Sequence, residues 1–196
     1  MPQLRSALNQ AMLRQGLQDF VLHRLAALNH AVGEAWLSGE FEIFEEHLYT
    51  EQVQALLRQA IATLPAHSGS PRILLTTLPE EQHGLGLLMA EALLALDGAT
   101  CVSLGTQTPL YDIAMAARSQ QADVVALSFS SAYPSRQIAP QLAHLRTLLP
   151  EATELWAGGS GATRLAVQHG IRPMAALPDA LAALAEWRAS RGAHAV

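Results

Sequence analysis

A histidine that follows a glutamate by two residues is the feature of this sequence that points most directly to chemistry. Glu81, His83 and Gly86 form a Glu-x-His-x-x-Gly pattern directly after the apolar run "PRILLTTLP". An imidazole that binds a transition metal usually donates its second N–H to a carboxylate or carbonyl, and a carboxylate two residues away in a tight loop can accept it. The pattern predicts His83 as a metal ligand oriented by Glu81. On its own, it is also typical of a polar residue at a helix entry.

The composition excludes several other kinds of site. Cys101 is the single cysteine, which excludes an intrachain disulfide and a multi-cysteine metal centre. All 12 basic residues are arginine, so a phosphate-binding P-loop lysine and a Schiff-base lysine are excluded too. The net charge is −5 without a basic cluster, which argues against direct DNA binding.

The sequence also indicates in which cellular compartment the protein is located. It has no uninterrupted apolar run of about 18 residues. Its first residues, "MPQLRSALNQAMLRQG", mix charged and amide side chains where a signal peptide would be apolar. We therefore expect a cytoplasmic protein without a membrane partner.

The first third of the sequence has the apolar spacing of helices and no convincing strand. Gly16 and the pair Ser38-Gly39 interrupt this spacing. It predicts three helices, near 3–15, 17–38 and 40–64. Residues 1–64 are thus expected to form a helical bundle, and the Pro-, Gly- and Ser-rich segment 65–71 a linker.

From residue 72 to 196 the pattern changes to short apolar runs that alternate with helical stretches. The runs are "RILLTTL", "ATCVSLG", "DVVALSFS", "ELWAGG" and "IRPMAAL". The predicted helices are 84–97, 109–121, 134–149, 161–169 and 178–190. This alternation predicts an α/β domain with a flavodoxin-like (Rossmann-type) five-stranded parallel sheet.

Ligands of such sheets bind outside the carboxyl ends of the strands, so the loops 78–84, 105–110, 128–134 and 157–161 are the candidates. The first loop lacks the glycine spacing of a dinucleotide site. The others present hydroxyl groups and glycines that suit a large polar ligand. These residues are Thr106, Thr108, Ser128, Ser130, Ser131, Gly158, Gly159 and Gly161.

Taken together, the three loops that carry His83, Ser128 with Ser130, and Gly158 with Gly159 resemble the cobalamin-binding domain of the methionine synthase and corrinoid-protein superfamily. The resemblance implies that His83 is the lower axial ligand of cobalt. It also implies that the two serines line the displaced dimethylbenzimidazole tail and that the paired glycines make room for it. Most members that we would compare have Asp where this chain has Glu81, although the light-sensing branch tolerates Glu.

The helical region narrows the resemblance. Trp36, followed after nine residues by Glu46-His47, is similar to the cap of the CarH/LitR-type photoreceptors, which are MerR-type regulators that bind adenosylcobalamin. The resemblance implies that residues 1–64 cover the upper cobalamin face, with Trp36 over the adenosyl group and Glu46 and His47 around it. Taken singly, a Trp at a helix end is usually core and an acidic helix is usually solvated.

Two departures separate the chain from that family. Leu37 stands where the family has a histidine that binds cobalt from above after illumination, so a photoproduct through that position is not expected. A DNA-binding domain is also missing from the sequence. We therefore expect either the sensor portion of a longer regulator or a protein that reaches DNA only through a partner.

The predicted function is an adenosylcobalamin-dependent light sensor that regulates transcription through oligomer or partner changes, and not an enzyme. One alternative is a corrinoid carrier that docks a methyltransferase. Others are a sensor of cobalamin level and a protein that binds another tetrapyrrole such as haem.

Overall fold

The chain divides into two compact units, Met1–Pro65 and Ala66–Val196. The computed structural model describes residues 2–65, 69–163, 165–166 and 168–192. The predicted linker, 65–71, falls across the division between the units, and its residues 66–68 lie outside the described residues.

The first unit is helical. Its elements are α1 (Pro2–Gln15), α2 (Leu17–Asp19), a π-helical segment (Phe20–Leu25), α3 (Ala26–Leu37) and α4 (Ile43–Thr63). Gly16 separates α1 from α2 at a φ of 79°, a conformation that glycine adopts without steric cost. The buried apolar side chains come from α1, the π segment and α4: Leu8, Phe20, Val21, Leu25, Tyr49, Val53, Leu56, Leu57 and Ala60.

Helix α4 begins three residues later than the spacing predicts, because a capping box sets its start. The Glu42 side chain accepts a hydrogen bond from the backbone N–H of Glu45. In return, the Glu45 carboxylate accepts one from the Glu42 backbone at 3.0 Å. These two bonds satisfy donors that the first helical turn would otherwise leave unpaired.

The second unit contains a parallel five-stranded sheet. Its strands are β1 (Arg72–Thr76), β2 (Thr100–Gly105), β3 (Val124–Ser128), β4 (Glu154–Gly158) and β5 (Ile171–Pro173). They lie in the order β2-β1-β3-β4-β5, and every neighbouring pair is parallel. The predicted flavodoxin-like α/β class is confirmed, and the chain order changes direction between β1 and β3.

Four helices flank this sheet. They are α5 (Leu85–Leu96), α6 (Leu110–Ser119), α7 (Ser135–Leu148) and α8 (Leu177–Gly192). Each begins and ends close to its predicted bounds, because period-3.6 apolar spacing is a local property of the sequence. None of the helices in the described part of the chain is long and apolar enough to span a membrane.

Both faces of the sheet are covered, as parallel sheets require. On one face Leu74, Val125 and Leu155 pack with α6 and α7. On the other, Ile73 and Trp156 pack with α5 and α8. The alternation of neighbouring strand residues between these faces explains why the strands appear in the sequence as nearly continuous apolar runs.

The predicted helix 161–169 is wrong. The described residues there form only a 3-10 turn, Ser160–Ala162, and Leu165–Ala166 are not helical; Arg164 and Val167 lie outside the described residues. The reason is a close approach to the neighbouring loop. A Cβ on Gly161 would lie 2.3 Å from the Ser130 carbonyl oxygen.

Candidate functional site

Two buried threonines organise the loops at the carboxyl end of β1. Thr77 Oγ1 donates to the carbonyl of Glu81 at 2.6 Å and accepts from the backbone N–H of Gln107 at 2.9 Å. Thr76 Oγ1 lies 2.7 Å from Thr108 Oγ1, and the Thr108 N–H donates to the Thr77 carbonyl at 3.0 Å. The loops after β1 and β2 are therefore tied together by hydroxyl groups that are themselves fully buried.

The carboxylate of Glu81 is the centre of the site. Its side chain is 1% exposed, and each of its oxygens accepts two hydrogen bonds. Oε1 accepts from the His83 backbone N–H at 2.9 Å and from the His83 ring at 2.8 Å. Oε2 accepts from the Ser130 backbone N–H at 2.7 Å and from its hydroxyl at 2.8 Å. A buried carboxylate with four donors is fully satisfied.

These contacts fix the protonation pattern of the pair. Burial by itself raises the pKa of Glu81, but the hydrogen bonds from Ser130 and His83 outweigh it, and the pKa is lowered overall. At neutral pH the carboxylate is therefore ionised and only accepts, so the proton of the neutral imidazole lies on Nδ1. The lone pair on Nε2 then remains available, on a ring whose side chain is 62% exposed.

The donor set decides what kind of metal could use that lone pair. Among the described residues, no group of three or more His, Cys, Asp or Glu side chains could hold a metal ion. One exposed imidazole cannot build a protein cage for a bare ion. It fits a metal whose other positions are filled by a macrocycle and which needs one axial ligand.

A cavity of about 330 Å³ lies in the second unit and begins at the start of α5, three residues after His83. Residues of β1, β3 and β4, α5, the start of α8 and the loops after β4 and β5 line it. These are Leu75, Gly86, Leu87, Ala90, Leu94, Ala126, Leu127, Ser128, Trp156, Gly158, Gly159, Ser160, Thr163, Met174, Ala175, Ala176, Leu177 and Ala180. Its size and apolar lining are typical of a small-molecule pocket.

The glycines that line the cavity allow neighbouring segments to come close to the main chain. A Cβ on Gly86 would lie 3.2 Å from Ser128 Oγ, and one on Gly158 would lie 3.2 Å from Met174 Cβ. Gly159 has a φ of 94°, and its Cβ would lie 2.3 Å from the Phe129 carbonyl oxygen. The loop path itself thus requires glycine at 159.

The predicted site residues of the second unit fall into three groups. Glu81, His83 and Ser130 come together in one hydrogen-bonded cluster. Gly86, Ser128, Gly158 and Gly159 line the cavity. Ser130 was expected beside Ser128 along the tail, but its hydroxyl donates to Glu81, and Ser130 is not among the cavity residues. Thr108 is likewise not among them, because its hydroxyl pairs with Thr76.

The predicted residues of the helical unit lie near the turn between α3 and α4. Trp36 is 47% exposed, so it is not a core residue of the described structure. Glu46 Oε1 accepts from the Thr50 hydroxyl at 2.6 Å, and its other oxygen lies 3.7 Å from His47 Nε2. Further exposed apolar side chains accompany Trp36: Leu37, Phe41, Ile43, Phe44 and Leu48. An apolar surface of this kind commonly marks a binding face.

Sequence reasoning missed several residues that matter for the site. Thr76 and Thr77 were read as the end of a strand. A pair of threonines that closes an apolar run is a signal that could have indicated buried hydroxyl groups bonded to the neighbouring loops. Trp156 and Met174 line the cavity but appeared in the sequence only within the apolar runs "ELWAGG" and "IRPMAAL". Such runs indicate a buried strand, but they do not reveal a cavity.

The second unit thus combines an open parallel sheet, an oriented imidazole at its carboxyl edge and an apolar cavity beside it. Residues 2–61 match the family described as B12 binding domain. This match covers the helical part of the chain.

Two curated relatives match a larger part of the chain. The chain is 33% identical over 138 residues to the HTH-type transcriptional repressor CarH of Myxococcus xanthus, a match that covers 70% of this chain and 46% of CarH. It is 25% identical over 176 residues to methionine synthase of Mycobacterium tuberculosis, covering 86% of this chain and 14% of that enzyme. The chain thus spans less than half the length of these curated relatives.

Among solved structures, the monomethylamine corrinoid protein of Methanosarcina barkeri superposes with a TM-score of 0.71 at 15% identity. The match covers 93% of this chain and 96% of that one. At this identity the likeness concerns the fold.

Proposed function

We propose that this chain binds adenosylcobalamin and acts as a light sensor that regulates transcription through a change of oligomer or partner, without catalysing a reaction. The observation that carries the cobalamin part is the Glu81–His83 pair beside a cavity that Gly86 and Ser128 line. The similarity to CarH over 70% of the chain supports the sensor part.

In this proposal, His83 Nε2 is the lower ligand of cobalt. Glu81 and Ser130 hold the imidazole in place before the cofactor arrives, since their hydrogen bonds do not depend on it. The cavity accepts the displaced base, and Ser128 contributes a hydroxyl at its outer end. Binding then costs little ordering of protein side chains.

The helical unit contributes recognition of the adenosyl group. The exposed Trp36 indole offers an apolar surface on which an adenine can stack. Glu46 and His47 offer a carboxylate and an imidazole for ribose hydroxyls. Bound adenosylcobalamin supplies a cobalt–carbon bond that light can break. Loss of the adenosyl group removes contacts that only the dark state makes, which is the differential binding that a switch requires.

Leu37 makes the proposed switch simpler than that of the photoreceptor family. Its side chain is 73% exposed and has no donor atom. The illuminated state therefore gains no protein ligand at this position.

The second candidate is a corrinoid carrier for methyl transfer. The fold match to the monomethylamine corrinoid protein, which extends over 93% of this chain, favours it. In a carrier, the exposed apolar side chains near Trp36 would serve to dock a methyltransferase. The two candidates share the lower ligand and the cavity, and differ in their response to light and in their preference for the adenosyl form.

The test is an absorption spectrum of the purified chain with adenosylcobalamin in darkness and after green light, with size-exclusion chromatography of both samples. We expect a bound spectrum that changes on illumination together with a changed elution volume, or a changed affinity for a partner regulator. Binding without any light-dependent change in size or partner affinity would favour the carrier or a sensor of cobalamin level. No binding would reject cobalamin and leave haem to be tested by the same spectrum.

One variant with a matched control tests the proposed upper recognition by itself. We expect Trp36→Ala to retain cobalamin binding but to lose the preference for the adenosyl over the methyl form. Leu13→Ala, at a 75% exposed position of the same unit, is the matched control. Equal preference in Trp36→Ala and in the control would defeat the proposed role of the indole.

A further inference from the structure

The cavity beside α5 has an inner wall without a free polar side chain. We use "inner wall" for the lining residues that belong to the buried core on the α5 and α8 side of the sheet or pack against it: Leu75, Leu87, Leu94, Ala126, Trp156, Met174 and Ala180. The one side-chain nitrogen or oxygen in this set is the Trp156 indole N–H. It already donates to Glu154 Oε2 at 2.8 Å.

The main chain of this wall is also engaged. Leu75 pairs with Ala126, and Ala126 with Trp156, in the parallel ladders of the three central strands. Leu94 lies in the body of helix α5, where backbone groups bond along the helix, and the bond from the Leu88 N–H to the Gly84 carbonyl is the first of this series. The strands and the body of α5 therefore present no spare backbone donor or acceptor to a buried ligand. The N–H groups of the first turn of α5, which have no partner within the helix, lie at the outer end, where Gly86 meets Ser128.

The polar side chains are confined to the outer end. Ser128 is 9% exposed, and its hydroxyl has no hydrogen-bond partner in the part of the chain that the structure describes. It lies next to Gly86 at the start of α5, whereas Leu94 lies about two turns further along, roughly 12 Å away. Ser160 and Thr163 add exposed hydroxyls after β4.

We infer that this cavity selects among corrinoids by their lower base, accepting an apolar benzimidazole and disfavouring a purine. The inference rests on the proposed function, because it assigns the cavity to the displaced base. A dimethylbenzimidazole can direct its free ring nitrogen to Ser128 and its methyl groups to the inner wall. Adenine would bring an exocyclic amine and further ring nitrogens against a wall that cannot bond them.

The test compares three ligands in darkness: adenosylcobalamin, its analogue with adenine as lower base, and adenosylcobinamide, which has no lower base. Equilibrium dialysis gives the dissociation constants, and quenching of tryptophan fluorescence gives a second readout, since Trp156 lines the cavity. We expect the adenine analogue to bind roughly 10- to 100-fold more weakly than cobalamin, which corresponds to one or two unpaired buried polar groups. Cobinamide should also bind more weakly than cobalamin.

The outcomes distinguish this inference from the proposed function. Equal affinity for the two bases would overturn the selectivity while leaving cobalamin binding intact. Cobinamide that binds as tightly as cobalamin would overturn it too, because the cavity would then not hold the base. Failure of all three ligands to bind would instead reject the proposed function.

A variant pair tests the inner wall itself. Ala180→Ser places a hydroxyl on the inner wall with a small change of volume. We expect it to strengthen binding of the adenine analogue and so to reduce the difference in affinity between this analogue and cobalamin. Ala182→Ser, at an exposed position of the same helix, is the control and should leave the difference unchanged. An affinity difference that falls equally in both variants would contradict the assignment of base selectivity to the inner wall. Thermal unfolding checks that both variants are folded.

Discussion

Glu81 Oε1 lies 2.8 Å from the ring nitrogen Nδ1 of His83 and 2.9 Å from the backbone nitrogen of the same residue. One oxygen therefore fixes both the main chain and the ring of the histidine. The other oxygen binds Ser130 from the loop after β3. Because these contacts involve protein groups only, the loop sets the direction of Nε2 before any ligand binds. We expect the site to be preorganised.

Glu81→Gln should destabilise the protein. The glutamine keeps the shape, but its amide group must place an N–H₂ against a donor of Ser130 or of His83. We expect a loss of about 1–3 kcal/mol in the free energy of unfolding. Urea unfolding of the variant and of Glu80→Gln, an exposed neighbour, measures the difference. A loss of similar size in both would mean that the carboxylate of Glu81 has no special role.

Acid should weaken the folded state through the same carboxylate. The pKa of Glu81 is lowered in the folded protein, because its hydrogen bonds outweigh the effect of burial. Such a group adds stability above its unfolded pKa, about 4.3, and this contribution is lost as the pH falls through the folded pKa. Urea unfolding from neutral pH to about pH 3 should show a steeper loss below about pH 4.3 in wild type than in Glu81→Gln. Parallel curves would contradict this assignment.

Thr77→Val should loosen the loops that carry Glu81 and Thr108. Valine has the same shape but lacks the hydroxyl that bonds the Glu81 carbonyl and the Gln107 N–H. We expect about 1–3 kcal/mol of destabilisation, since two backbone groups lose their partner. Thr147→Val, at an exposed helix position, is the control for the substitution itself. Urea unfolding measures the effect. An unchanged unfolding midpoint for Thr77→Val would show that water replaces the hydroxyl.

Two glycine substitutions should change stability in opposite directions. Gly159→Ala places a Cβ against the Phe129 carbonyl at a positive φ, and we expect it to cost about 2 kcal/mol or more. Gly33→Ala lies within α3, where a Cβ meets nothing within 4 Å. It should stabilise by about 0.5–1 kcal/mol, because alanine favours the helix. Thermal unfolding that moves both variants in the same direction would refute this explanation.

Much of the fold could be predicted because it follows from local periodicity. Gly16 ends α1 where the apolar spacing breaks, and the alternation of apolar runs with helical stretches leads directly to a parallel sheet. The Glu81–His83 hydrogen bond was also predictable, since the two residues are only two positions apart. Such features need no knowledge of how distant segments meet.

The remaining features depend on the path of the loops. Ser130 reaches Glu81 from 49 residues away, and no local pattern indicates that its hydroxyl turns to the carboxylate. The helix expected after Gly159 fails because Gly161 packs against the Ser130 backbone, a tertiary contact that overrides local propensity. The cavity arises between α5, α8 and three strands, so Met174 and Trp156 appear in the sequence only as members of apolar runs.

The most direct test of the central claim, that His83 Nε2 is the cobalt ligand, is an electron paramagnetic resonance spectrum. The reduced cobalt(II) form of cobalamin is bound to protein labelled with ¹⁵N in its histidines. A protein imidazole should split each cobalt line into two in the labelled protein and into three in the unlabelled one, and His83→Ala should abolish this dependence on the label. A three-line splitting that persists in the labelled wild type would show that the cofactor's own base remains on cobalt, and would contradict the account.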